Sequence, residues 1–197
     1  MSRIYDITQD LNDCRLFPGD PKPEITRIES IADGDMCNLT HISMRAHCGT
    51  HVDAPLHFID GGRTIGEMGL EPFVGRCYVA QAEGDLTREE AAMILKRAQE
   101  NDASERILIA GPVTLTPEAG EVFVQGRIML YGNESQTVGP ETGPAAMHHL
   151  MLGAGIVLLE GIDLEGVPEG AYFLNAAPIG LMQQEGAPCR AWLMKED

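Results

Sequence analysis

Eleven positions, His47 to His57, hold three histidines and an aspartate in a chain that has only six histidines. Imidazole and carboxylate side chains gathered at one point suit zinc, manganese or ferrous iron. The approach to this stretch, residues 39–52, alternates in type. His41, Ser43, Arg45, His47, Gly49, His51 and Asp53 fall on one side, and Ile42, Met44, Ala46, Cys48 and Val52 on the other. Period two is the pattern of a strand with one polar and one apolar face. The expectation is one strand on which His47, His51 and Asp53 point the same way, with Gly49 leaving room for an ion. Pro55 breaks the strand, and the turn after it brings His57 back beside the cluster. A single histidine is more often a hydrogen-bonded structural residue than a ligand. Four convergent ligand-type side chains without an ion would bury several polar groups unpaired. The pair His47 and His51 is not a helical HExxH motif, because Gly49, Thr50, Val52 and Pro55 oppose a helix and no glutamate follows His47.

A second constellation lies in residues 143–161. Pro144 suits a first helical position, residues 145–152 form a short helix, and Gly153 and Gly155 close it. Residues 156–159 are fully apolar, as in a strand buried on both faces. That strand runs into Glu160, and α/β folds place their sites at the carboxyl ends of parallel strands. Burying Glu160 alone would be costly. His148 and His149 precede it on the helix, and chemistry alone does not choose between them.

These groups need a scaffold, and 197 residues suffice for one well-buried domain spanning 1–197. The remaining elements read as strands over 3–8, 24–31, 75–82, 106–111, 121–125 and 127–131. A capping box at Thr87-Arg88-Glu89-Glu90 starts a helix to about residue 101, buried through Ala91, Ile94, Leu95 and Ala98. Phe17 sits in a turn-rich loop beside Pro18 and Pro21, and spacing alone favours the core for it. A formal net charge of −16 argues against a nucleic-acid surface. No run of about 18 apolar residues marks a membrane span, and the opening residues have no apolar signal core. Five cysteines without CxxC spacing indicate neither a disulfide framework nor a thiolate zinc site. The expected location is the cytoplasm.

The run His47-x-Gly-Thr-His51-x-Asp53-Ala-Pro-x-His57-Phe resembles the signature of the cyclase family of metal-dependent hydrolases, to which bacterial kynurenine formamidases and isatin hydrolases belong. The resemblance extends to the Pro18-Gly19-Asp20 loop, to the twelve-residue spacing from His148 to Glu160, and to a C-terminal strand around 188–193. It implies an α/β, swivelling β/β/α-type domain with a mostly β core and flanking helices, usually a homodimer. It further implies His47 and His51 on a first ion, Asp53 shared between two, His148 on the second, and Glu160 bridging or binding at that pair. His57 would transfer protons. One or two zinc or manganese ions would then serve a small-molecule substrate. Two departures concern that substrate: Phe17 stands where kynurenine formamidases carry a tryptophan lining the pocket, and residues 132–137 replace the family's Asp-Thr-Pro-Ser stretch. The resemblance moves Phe17 from the core to the pocket wall.

The expected reaction is hydrolysis of a carbon–nitrogen bond in a linear or cyclic amide, with the ion activating a water and polarising the carbonyl. A metal-dependent isomerase or dehydratase, a lactone or ester hydrolase, and a non-catalytic metal-binding module are the alternatives. His57 speaks against the last, since a structural site has no need of it.

Overall fold

The computed structural model describes residues 3–195. After β1 (Arg3–Asp6) and a turn-rich loop, β2 (Glu24–Glu29) and β3 (Leu39–Ser43) form a hairpin. The three-residue β4 (His51–Asp53) leads through a 3₁₀ turn at Pro55–His57 to the short α1 (Ile65–Met68). Next come β5 (Val74–Gln81), β6 (Gly84–Leu86), α2 (Arg88–Glu100), β7 (Arg106–Ala110) and β8 (Val113–Leu115). Then α3 (Pro117–Gly126), β9 (Leu130–Asn133), α4 (Ala145–Gly153) and β10 (Val157–Glu160) follow. The chain closes with β11 (Gly170–Asn175), β12 (Gly186–Pro188) and β13 (Trp192–Lys195).

Nine strands make one mixed sheet in the order β1-β13-β11-β5-β7-β9-β10-β4-β12. Its centre, β5-β7-β9-β10, is parallel, and both wings are antiparallel. Strand alternation sends Ile107, Ile109 and Leu158 into a core roofed by α2, α3 and α4. Leu108, Val157 and Leu159 face the opposite core, with Val52, Val79 and Leu193. Burial on both faces is why the parallel strands read as unbroken apolar runs. The result is the mixed α/β architecture, with a large, mostly β sheet and few helices, that the resemblance implied.

Several local expectations change. Residues 39–52 are not one strand. The pattern survives, but the chain leaves the β2–β3 hairpin after Ser43 and turns through 44–50 before β4. Gly49 is in the left-handed region at φ +64, which an alternating pattern does not reveal. A Cβ there would meet Cys14 and Leu11, so this glycine serves a turn and not an ion. Residues 121–125 belong to α3. The Thr116 hydroxyl accepts the Ala119 N–H and Pro117 occupies the first turn, and this capped start outweighs the strand preference of Val122 and Val124. The strand expected over 127–131 begins at Leu130, after Arg127 ends the helix at φ +54. The segment 188–193 spans the end of β12 and the start of β13, and β11 was not anticipated.

Candidate metal centre

β4 lies antiparallel to β10, with His51 opposite Glu160 and Asp53 opposite Leu158. Residues two apart on a strand share a face, and directly opposite residues share it too. His51, Asp53 and Glu160 therefore stand on the face roofed by α4, while Val52 enters the opposite core. His148, buried on α4, reaches the same point, and His149, beside it, is exposed. Thus two short strands and one helix converge three elements of the sequence pattern at the carboxyl end of β10.

The inner part of the cluster is dry. Asp53 is 0 % exposed and Glu160 2 %. His51 Nε2 lies 3.5 Å from Asp53 Oδ1 and 3.4 Å from Glu160 Oε2. His148 Nε2 lies 3.2 Å from Glu160 Oε1 and 3.6 Å from Asp53 Oδ2. The other nitrogen of each ring is committed to backbone. Nδ1 is 2.9 Å from the Gly49 carbonyl in His51, and 2.9 Å from the Pro144 carbonyl in His148. A carbonyl only accepts, so each Nδ1 carries the proton and each neutral ring turns its Nε2 lone pair to the carboxylates. Only a positive charge at Nε2, whether a second ring proton or a bound cation, reconciles the rings with carboxylates at such distances.

The titration behaviour expresses the same demand. Burial pulls His51 down, but the close Glu160 carboxylate and the Asp53 charge outweigh it, to about 9. His148 is likewise pulled down by burial, yet Asp53 and Glu160 bring it up to about 10. Asp53 is raised by burial and lowered more strongly by His148, His47 and His51, so it stays well below the usual carboxylate range. His51 Nε2 and Asp53 Oδ2 are buried without a hydrogen-bond partner. Donor atoms of His51, Asp53 and Glu160 lie close enough together to hold one ion. The residues present thus fit a divalent cation.

The outer part is half open. His47 comes from the 44–50 turn rather than from a strand. Its Nδ1 is 2.8 Å from Asp53 Oδ1 and its Nε2 is 3.3 Å from Glu185 Oε1. His57, in the 3₁₀ turn after Pro55, stacks on His47 with ring centroids 4.0 Å apart, and its Nε2 is 4.0 Å from Asp53 Oδ2. Donor atoms of His47, Asp53 and His57 form a second group that could hold an ion. Burial lowers the His57 pKa, the nearby His47 and His148 lower it further, and Asp53 opposes them; the net direction is down.

A cavity of about 260 Å³ opens over both halves, with Phe17, His57, Phe58, Gln136 and Pro144 in its wall. Phe17 is half-buried there. Asp20 and Arg45 also line it and pair with each other. Three participants escaped the sequence reading. Glu185 carries no spacing signal, and β12 pairing with β4 brings it to His47 across 138 residues. Val138 donates its N–H to Glu160 Oε1 at 3.0 Å, a backbone role that no residue type announces. Gln136 sits in the stretch already marked as a departure from the family.

Comparison with known proteins identifies the family. Residues 5–163 match the "Putative cyclase" family. A kynurenine formamidase of Polaromonas naphthalenivorans is 32% identical over 203 residues, covering 97% of this chain and 90% of that protein. The kynurenine formamidase of Erythrobacter litoralis is 30% identical over 201 residues, covering 97% and 93%. Among solved structures, isatin hydrolase A from Labrenzia aggregata, bound to benzyl benzoate, superposes with a TM-score of 0.82 at 24% identity, covering 100% of this chain and 94% of that one. The chain belongs to the cyclase family.

Proposed function

We propose that the chain is a metal-dependent hydrolase that cleaves a carbon–nitrogen bond in a linear or cyclic amide. The observation that carries this is the Nε2 lone pair of buried His51, set by the Gly49 carbonyl and aimed at two carboxylates. His51, Asp53, Glu160 and His148 are the inner ligands of a zinc or manganese ion, and His47 with Asp53 is the outer position for a second. Such an ion, when bound, lowers the pKa of a water and polarises a carbonyl. His57, its pKa lowered and its ring half-buried at the cavity, takes a proton from the attacking water at Nε2 and passes it to the leaving nitrogen. Phe17 stacks on the substrate from the cavity wall.

The relatives named kynurenine formamidase support an amide target, and the smaller ring of Phe17 points to a substrate less aromatic than formylkynurenine. The partner follows the same reading. The β2–β3 hairpin exposes Ile25, Ile28, Leu39 and Ile42. A two-stranded sheet open on this scale is marginal in water, so a second copy of the chain covers it in a homodimer. Among the described residues no helix is long and apolar enough to cross a membrane. The test is metal analysis of the purified protein beside assays on N-formylkynurenine, isatin and simple aryl amides, with products weighed. Hydrolysis adds the mass of water. An unchanged mass would favour the isomerase alternative, and product lighter by water a dehydratase.

A further inference from the structure

Gln136 is 9 % exposed, and neither its Oε1 nor its Nε2 has a hydrogen-bond partner. A carboxamide buried in that condition is expensive and calls for an explanation. It does not lie in a loose loop. Gly161 donates its N–H to the Ser135 carbonyl at 2.7 Å, Ile162 to the Asn133 carbonyl at 3.4 Å, and Val138 to Glu160 Oε1 at 3.0 Å. The segment on both sides of Gln136 is thus tied to the turn that carries the candidate ligand Glu160. Gly161 is what admits the carboxamide, since a Cβ there would come within 2.1 Å of Gln136 Nε2. The chain therefore fixes the backbone around Gln136, makes room for its amide, and leaves both amide atoms buried and unpaired in a residue that lines the cavity of the ion ligands.

We infer that Gln136 is a specificity-determining residue that reads the substrate's N–H, so that the site selects amides over esters. The inference rests on the hydrolase reading above. A carboxamide offers an acceptor and donors together, matching an amide, which presents a carbonyl and an N–H. An ester has an oxygen in place of that N–H, and its lone pairs would face Oε1. Sites built to hydrogen-bond a substrate N–H reject analogues lacking it, because a buried group is then left unpaired.

The test compares the metal-loaded full chain with Gln136→Met on two probes, formanilide and phenyl formate, which differ only at the leaving atom. The readout is the ratio of kcat/KM for amide over ester, after subtraction of spontaneous hydrolysis. A ratio within one preparation is independent of the fraction folded. The expected result is a fall of about tenfold or more in this ratio for Gln136→Met, with ester turnover and metal content close to wild type. If the wild type cleaves both probes and the ratio does not move, the inference is overturned while the hydrolase reading stands. Wild type that cleaves the ester alone overturns it as well. Wild type that cleaves neither removes the hydrolase reading, and the inference with it.

Discussion

The two halves of the cluster solve the same electrostatic problem in different ways. In the inner half, His51 and His148 spend their Nδ1 proton on backbone carbonyls and turn Nε2, the atom open to a second proton or a cation, to Asp53 and Glu160. In the outer half, His47 lies between two acids, Asp53 at Nδ1 and Glu185 at Nε2. Burial pulls the His47 pKa down, but Asp53 outweighs it and the net direction is up. The dry inner half demands a positive charge at each Nε2, which a proton meets in the ion-free chain and a cation would meet in its place. On the proposed reading the inner half is the tighter ion position, and the outer half, next to His57, faces the substrate.

Asp53 belongs to both halves, so its removal has the largest effect. Asp53→Ala should lose bound metal and bring turnover to background, read by elemental analysis and by assay of the same sample. Retained metal would mean that Asp53 is not shared. His57→Ala tests the outer half alone. Its kcat should fall about 10²- to 10⁴-fold with metal content unchanged. Because the His57 pKa lies below its ordinary 6.5, the wild-type rate should decline only as pH falls below about 6.5. That acid limb should vanish in His57→Ala, and its survival there would assign proton transfer to another group.

Stability against pH separates the halves more gently. His51 at about 9 and His148 at about 10 lie above the 6.5 of an unfolded histidine. Raised values give the ion-free chain stability that is fully present below pH 6.5 and lost as pH climbs through 9 to 10. Chelator-treated protein should therefore show a melting temperature that falls over this range. Metal-loaded protein should hold its melting temperature, since its imidazoles bear no Nε2 proton to lose. Parallel curves would contradict the fit to a cation. Smallest is the substrate wall: Phe17→Trp should improve kcat/KM on N-formylkynurenine by about two- to tenfold, the scale of an added aromatic contact. A decrease would place Phe17 away from the substrate ring.

What the sequence disclosed follows from where the periodicity is physical. His51, Val52 and Asp53 alternate because β4 is a real strand, and Glu160 ends an apolar run because β10 is buried on both faces. His47 fell on the same parity by accident of the turn that Gly49 permits, so its place was legible only as a nearby residue type. The helix α3 was hidden behind Val122 and Val124, although Thr116-Pro117 carried the start signal. The places of Glu185 and of the unpaired amide of Gln136 depend on long-range pairing, which no local pattern encodes.

The inner half is the decisive place for a bound ion, and metal content with binding calorimetry on His51→Ala and His47→Ala tests it most directly. His51→Ala should lose the tightly held ion, while His47→Ala should keep one tight ion per chain and lose only a weaker second event. Full occupancy in His51→Ala, or loss of all metal in His47→Ala with His51 intact, would contradict it.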